Sequence, residues 1–131
     1  MILVDTSVWI DLLAGRIRMR QQDVSRFAVC GPVVQEVLQG LRPGRASDAF
    51  REAFLAFRVL SDPVDLHLFL AAADIYRQGR RRGITLRAST DCLIAAIAIE
   101  NSTPVWHRDR YFTAIARFTT LEISDFSSVR K

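Results

Sequence analysis

The chain opens on three apolar residues, Ile2, Leu3 and Val4, then breaks at Asp5 into Thr6-Ser7-Val8-Trp9-Ile10-Asp11-Leu12-Leu13. The first run is too short for a helix and predicts a strand buried on both faces, hence central in a sheet. The second recurs with helical period, and Thr6 or Ser7 can cap it. Asp5 therefore stands where a buried strand hands over to a helix. In open α/β sheets that edge is where ligands bind. Packing does not explain a carboxylate there, because burial disfavours its charge unless something compensates. Asp5 reads as a helix cap or as a functional ligand.

The alternation continues along the chain. Gly15 with Arg16, Arg18 and Arg20 reads as a solvated loop or as phosphate contacts near a site. Phe27 to Cys30 is a second short strand. Gly31-Pro32 opens a helix whose apolar stripe is Val33, Val34, Val37, Leu38 and Leu41, ended by Gly40 and Pro43-Gly44. Glu36 lies off that stripe, about 60° from Val33 at ~100° per residue. Ala46 to Phe57 predicts a third helix, with Phe50, Phe54 and Phe57 as a core or self-association face. Arg58 to Leu60 is a third strand and Ser61-Asp62-Pro63 a turn. A helix from Val64 then runs into Gln78-Gly79-Arg80-Arg81-Arg82-Gly83. The three Arg offset its dipole or face RNA. His67 reads as an ordinary helix residue.

Ser89-Thr90-Asp91 precedes Cys92 to Ile99, a stretch apolar nearly all round and so predicted central and buried. Asp91 falls in its first turn, where free N–H groups and the dipole stabilise an anion. Asn101 to Thr103 is a turn, and Pro104-Val105-Trp106 a fourth strand leading into His107-Arg108-Asp109. Tyr111 to Phe118 is a short helix, Thr120 to Ile123 a last edge strand and Ser124 to Lys131 a polar tail. Strands alternating with helices predict an α/β fold with a mostly parallel sheet.

Composition narrows the picture. The 131 residues fit one domain, 1–131, and half are hydrophobic, which excludes global disorder. Cys30 and Cys92 lie inside apolar runs and read as buried free thiols of a reducing cytoplasm. Asp5 interrupts the first apolar run, so no signal peptide is expected, and Cys92 to Ile99 is far short of a membrane span. The net charge is +4, and among the basic residues the only Lys is Lys131. Arg suits phosphate contacts, which tilts towards a polyanionic partner. The lack of an internal Lys removes P-loop and phosphate-receiver readings.

Four acids then converge by topology. Asp5 and Asp109 both follow predicted strands, and Glu36 and Asp91 sit in helices that can start at the same sheet edge. Four acids at one edge repel unless a cation holds them. Carboxylate ligation without a Cys or His set suits Mg²⁺ or Mn²⁺. Such a metal can clamp a phosphate and activate water, so phosphodiester hydrolysis is the natural reaction.

The chain resembles the PIN-domain ribonucleases, specifically VapC-type toxins of toxin–antitoxin pairs. The residues that carry the resemblance are Leu3-Val4-Asp5-Thr6-Ser7-Val8-Trp9-Ile10, Glu36 followed by Gly40, Thr90-Asp91-Cys92-Leu93-Ile94-Ala95-Ala96, and Asp109-Arg110-Tyr111-Phe112. The resemblance implies a PIN-like three-layer sandwich, a central parallel sheet flanked by helices. It implies Mg²⁺- or Mn²⁺-dependent endoribonuclease activity, a homodimer, and inhibition by a VapB-like antitoxin whose tail enters the active-site groove. It makes Asp5 and Asp91 the principal metal ligands, with Glu36 and Asp109 the remaining acids of the site. Trp9 and Leu13 are candidates for apolar contact with the antitoxin. One departure is His107, where the family often has Thr or Ser. A haloacid-dehalogenase-like phosphatase needs a second Asp where Ser7 stands. Two other readings are a PIN nuclease of RNA processing or surveillance, and an inactive PIN module, against which all four acids speak.

Overall fold

The computed structural model describes residues 1–86, 88–124 and 129–130. The chain begins with β1 (Ile2–Val4) and α1 (Thr6–Leu13), followed by β2 (Ile17–Arg18) and a 3₁₀ stretch, Gln21–Arg26. Next come β3 (Phe27–Cys30), α2 (Gly31–Gln39), α3 (Arg45–Phe54), β4 (Arg58–Leu60) and α4 (Leu66–Arg81). The last elements are α5 (Ser89–Glu100), β5 (Val105–Trp106), α6 (Arg110–Ala116) and β6 (Val129–Arg130). Four strands form one sheet in the order β4-β3-β1-β5, every pairing parallel. Strand β1 is thus internal, as its unbroken apolar run requires, with Leu3 and Val4 fully buried. The helices flank this central parallel sheet.

Helix α5 is the most buried helix. Asp91, Cys92, Ile94, Ala95, Ala96, Ile97 and Ala98 are all buried where it packs against α4, α2 and α6. The close approach of α4 to its neighbours uses Gly79, where an added Cβ would lie 3.1 Å from Leu86 Cδ1. The Phe face of α3 belongs to the core. Phe54 is 1% exposed, and Phe50, Phe54, Phe57 and Phe27 surround Trp9 at ring separations of 5.0 to 6.5 Å. Edge-to-face pairs of this kind add to the area they bury. The Phe stripe therefore packs into the core, as the first of its two readings expects.

Several expectations are corrected. The polar-looking segment after Gly15 contains a strand: Ile17 is 2% exposed and β2 pairs antiparallel with β6. Of the expected polar tail, Val129–Arg130 is that partner strand, while residues 125–128 and 131 lie outside the described residues. Thr120 to Ile123 makes no strand; Ile123 forms a single parallel bridge to Val105. The third helix ends at Phe54 rather than Phe57, and α4 starts at Leu66 rather than Val64. His67 is more than a helix residue, since its Nε2 contacts Glu100 Oε1 at the end of α5. The Arg run after Gln78 does close α4: Arg82 donates to the Gln78 carbonyl, and Arg80 and Arg82 lie over the rings of Tyr76 and Phe118. Cys30 and Cys92 are free and buried, as read.

Candidate active site

Asp5 is held by the sheet itself. Its backbone N–H donates to the Trp106 carbonyl at 3.0 Å, carrying the β1–β5 pairing one residue past the strand. Asp5, not Thr6 or Ser7, is the N-cap of α1, and its carboxylate accepts from the Ser7 N–H at 3.0 Å. The Ser7 hydroxyl also donates to Asp5 Oδ2 at 2.6 Å. Only 4% of Asp5 is exposed. Burial pushes its carboxyl pKa up, the Ser7 bonds pull it down, and the charge of Asp109 raises it further. Asp5 is thus both a cap and a buried anion in the field of a second acid.

The other acids arrive on different elements. Asp91, 7% exposed, lies in the first turn of α5, with its Oδ2 wholly removed from solvent. Glu36 projects from α2 and accepts a 2.9 Å bond from Thr6 Oγ1. A cleft of about 530 Å³ has Glu36 on one wall and Thr90, the residue before Asp91, on another. Asp109 caps α6, accepting from the Tyr111 N–H at 2.9 Å. Burial pushes the Cys30 thiol up to about 12, and the charges of Asp5 and Glu36 push the same way, which places both carboxylates around the end of β3.

His107 occupies the turn before Asp109. Its Nδ1 accepts the Asp109 N–H at 3.1 Å, so that nitrogen carries no proton. Burial lowers the His107 pKa, while the carboxylates of Asp5 and Asp109 oppose that shift. An acceptor bonded to the N–H two residues on is what a Ser or Thr side chain also provides in such turns.

Asp5, Glu36 and Asp109 gather around the ends of β1, β3 and β5, while Asp91 sits in the first turn of α5, and their side chains do not close on one point. Among the described residues, no three His, Cys, Asp or Glu groups approach closely enough to hold a metal ion. The donor chemistry nevertheless suits a hard cation. The candidates are carboxylates alone, two of them buried, and the Asp5 carboxyl already feels the charge of Asp109.

Two participants are not legible as such in the sequence. Ser7 was read only as a cap, although it bonds Asp5 and also accepts the Arg108 N–H at 3.0 Å. Asp11 bonds Arg16 at 2.8 Å and pairs with Arg108 in the loop between β5 and α6. The only advance signal was the spacing of Ser7 and Asp11 on α1, four apart and so on one helix face.

The PIN domain family model matches residues 2–118. VapC ribonuclease Mb1587 of Mycobacterium bovis is 37% identical over 136 residues, covering 96% of this chain and 99% of the relative. The fold is similar to VapBC-1 from nontypeable Haemophilus influenzae, with a TM-score of 0.74 at 18% identity over 95% of this chain and 98% of that one. It is similar also to VapBC-5 of Mycobacterium tuberculosis, a member of the VapBC family of toxin-antitoxin systems. There the TM-score is 0.65 at 23% identity, over 98% of this chain and 97% of that one. The chain belongs to the PIN-domain family, on its VapC branch.

Proposed function

We propose that this chain is a toxin-type endoribonuclease, dependent on Mg²⁺ or Mn²⁺ and neutralised by a VapB-like antitoxin. The observation that carries the reading is that two carboxylates are buried, Asp5 at the carboxyl end of the central strand β1 and Asp91 in the first turn of α5. The relatives named as ribonucleases support the same activity. Residues 1–131 act as one catalytic unit in this reading, and the active form is a homodimer.

Asp5 and Asp91 would hold the metal, with Glu36 and Asp109 completing the site. The bound ion supplies charge neutralisation for a phosphate and activation of a water. The chain's own residues prepare that chemistry. Ser7 orients Asp5 through its hydroxyl and N–H. Thr6 orients Glu36. His107 fixes the turn that carries Asp109. Supporting hydrogen bonds of this kind are worth about 10–100-fold in metal affinity or activity in comparable sites.

The antitoxin has a place to lie. A groove of about 660 Å³ runs between α1, α2 and α3, lined by Ile10, Leu13, Leu41 and Phe50 and ending at Glu36. Ile10 and Leu13 are 53% and 49% exposed, whereas Trp9 is 3% exposed and belongs to the core. Leu13 with Ile10, and not Trp9, therefore meets the antitoxin in this reading. No helix among the described residues is long and apolar enough to cross a membrane.

The test is expression of this chain with and without the small neighbouring gene product. Growth arrest and RNA cleavage by the chain alone, both relieved by the partner, support the reading. A neighbour that neither binds nor inhibits overturns the toxin role and favours an RNA-processing nuclease.

A further inference from the structure

Asp11 holds two guanidinium groups at once. Its Oδ1 accepts from Arg16 Nη1 at 2.8 Å, and its Oδ2 pairs with Arg108 Nε. The two Arg come from distant parts of the chain, one after α1 and the other between β5 and α6. One carboxylate against two guanidiniums leaves a net positive charge. Each guanidinium carries five donors in a planar fork, and the contact to Asp11 engages an edge of each. The side chains remain accessible, 61% for Arg16 and 34% for Arg108.

This cationic pair is anchored to the acid site. The Arg108 N–H donates to Ser7 Oγ at 3.0 Å, and the same hydroxyl donates to Asp5 Oδ2 at 2.6 Å. Arg108 also immediately precedes Asp109. A polyanion approaching four carboxylates meets repulsion on every side except where positive charge has been placed. A brace for the loop needs one Arg on Asp11; the second guanidinium is surplus to that task. Bidentate donor forks match phosphate geometry.

We propose that Arg16 and Arg108, aligned by Asp11, form a phosphate seat at the lip of the acid site, taking a backbone phosphate of the RNA beside the one that is cut. The proposal rests on the ribonuclease reading and assigns it the groups that hold the strand.

The experiment measures binding rather than cleavage. A short fluorescein-labelled single-stranded RNA is titrated with the protein in EDTA, over a series of salt concentrations. The proteins are wild type, Arg16→Gln, Arg108→Gln and Arg108→Lys, each checked by circular dichroism. Each phosphate contact on a single strand adds about 0.7 to the slope of log K against log salt, so at roughly 0.1 M salt its loss costs about fivefold. Each Gln variant is expected to lose about 0.7 of slope and about fivefold in affinity. Arg108→Lys is expected to keep the slope, because the charge remains, and to bind more weakly. Arg16→Gln is a solvent-side change and reports even if Arg108→Gln loosens the loop. Wild-type slope in folded Gln variants overturns the seat while leaving the ribonuclease reading intact. A wild-type protein that neither binds nor cuts the RNA overturns both.

Discussion

Thr6 Oγ1 donates a 2.9 Å hydrogen bond to Glu36 Oε1, joining α1 to α2 across 30 positions of sequence. The bond fixes the one catalytic candidate whose helix gives it no other reason to point at the sheet edge. Thr6→Val keeps the shape and deletes the donor. Cleavage should fall on the order of 10-fold or more. Stability should change by only about 1 kcal/mol, the net worth of one hydrogen bond. Steady-state rates and a melting curve on the same preparation check this. Unchanged cleavage means that Glu36 is placed without Thr6.

Trp9 and Leu13 lie on the same short helix but should behave oppositely. Trp9 is buried among Phe27, Phe50, Phe54 and Phe57, and its indole N–H donates to the Val4 carbonyl at 3.1 Å. Trp9→Ala should cost about 3–5 kcal/mol of folding stability. Leu13→Ala should cost roughly 0.5 kcal/mol or less in the free protein, as an exposed position, yet weaken antitoxin binding. Urea titration and a binding titration with the neighbouring gene product separate the two effects. Equal destabilisation by both changes would contradict the placement of Leu13 in the groove.

His67 should make stability depend on pH away from the site. Its ring contacts Glu100, with Asp65 nearby, and the bond to Glu100 is the main reason its pKa lies above 6.5. A raised folded-state pKa means the protonated ring favours folding. That contribution is fully present below the unfolded value and is lost as pH rises through the folded one. His67→Gln should therefore melt below wild type at about pH 5.5, with the difference shrinking towards pH 8.5. Melting curves across that interval measure it. A difference that stays constant with pH assigns the contact no charge dependence.

The parts of this fold that the sequence revealed are those whose signal is local. Ile2 to Val4 and Phe27 to Cys30 are apolar runs ended by Asp5 and by Gly31-Pro32, and Asp91 heads a helix with no polar face. The parts it concealed depend on partners far along the chain. Ile17–Arg18 becomes a strand only because Val129–Arg130 lies beside it, and nothing in an Arg-studded segment announces that. His67 and Glu100 are 33 positions apart. Asp11 looks like a solvated helix residue until the loop carrying Arg108 arrives against it. The same holds for the site. Asp5 and Asp91 were marked by acids at apolar boundaries, whereas Ser7 and Thr6 gained their roles only through contacts made by the folded chain.

If the buried acids hold a metal for RNA cleavage, Asp91 is the residue whose charge the reaction needs. Asp91 is the third residue of α5 and does not cap it, so Asp91→Asn keeps the size of the side chain while removing its charge. The measurement is cleavage of single-stranded RNA by folded wild type and folded Asp91→Asn, each in EDTA and in Mg²⁺ or Mn²⁺. Wild type with metal should cut the RNA, and the other three conditions should leave it intact. A folded Asp91→Asn protein that cuts RNA at the wild-type rate, or wild-type cleavage that persists in EDTA, would contradict a metal held by these acids.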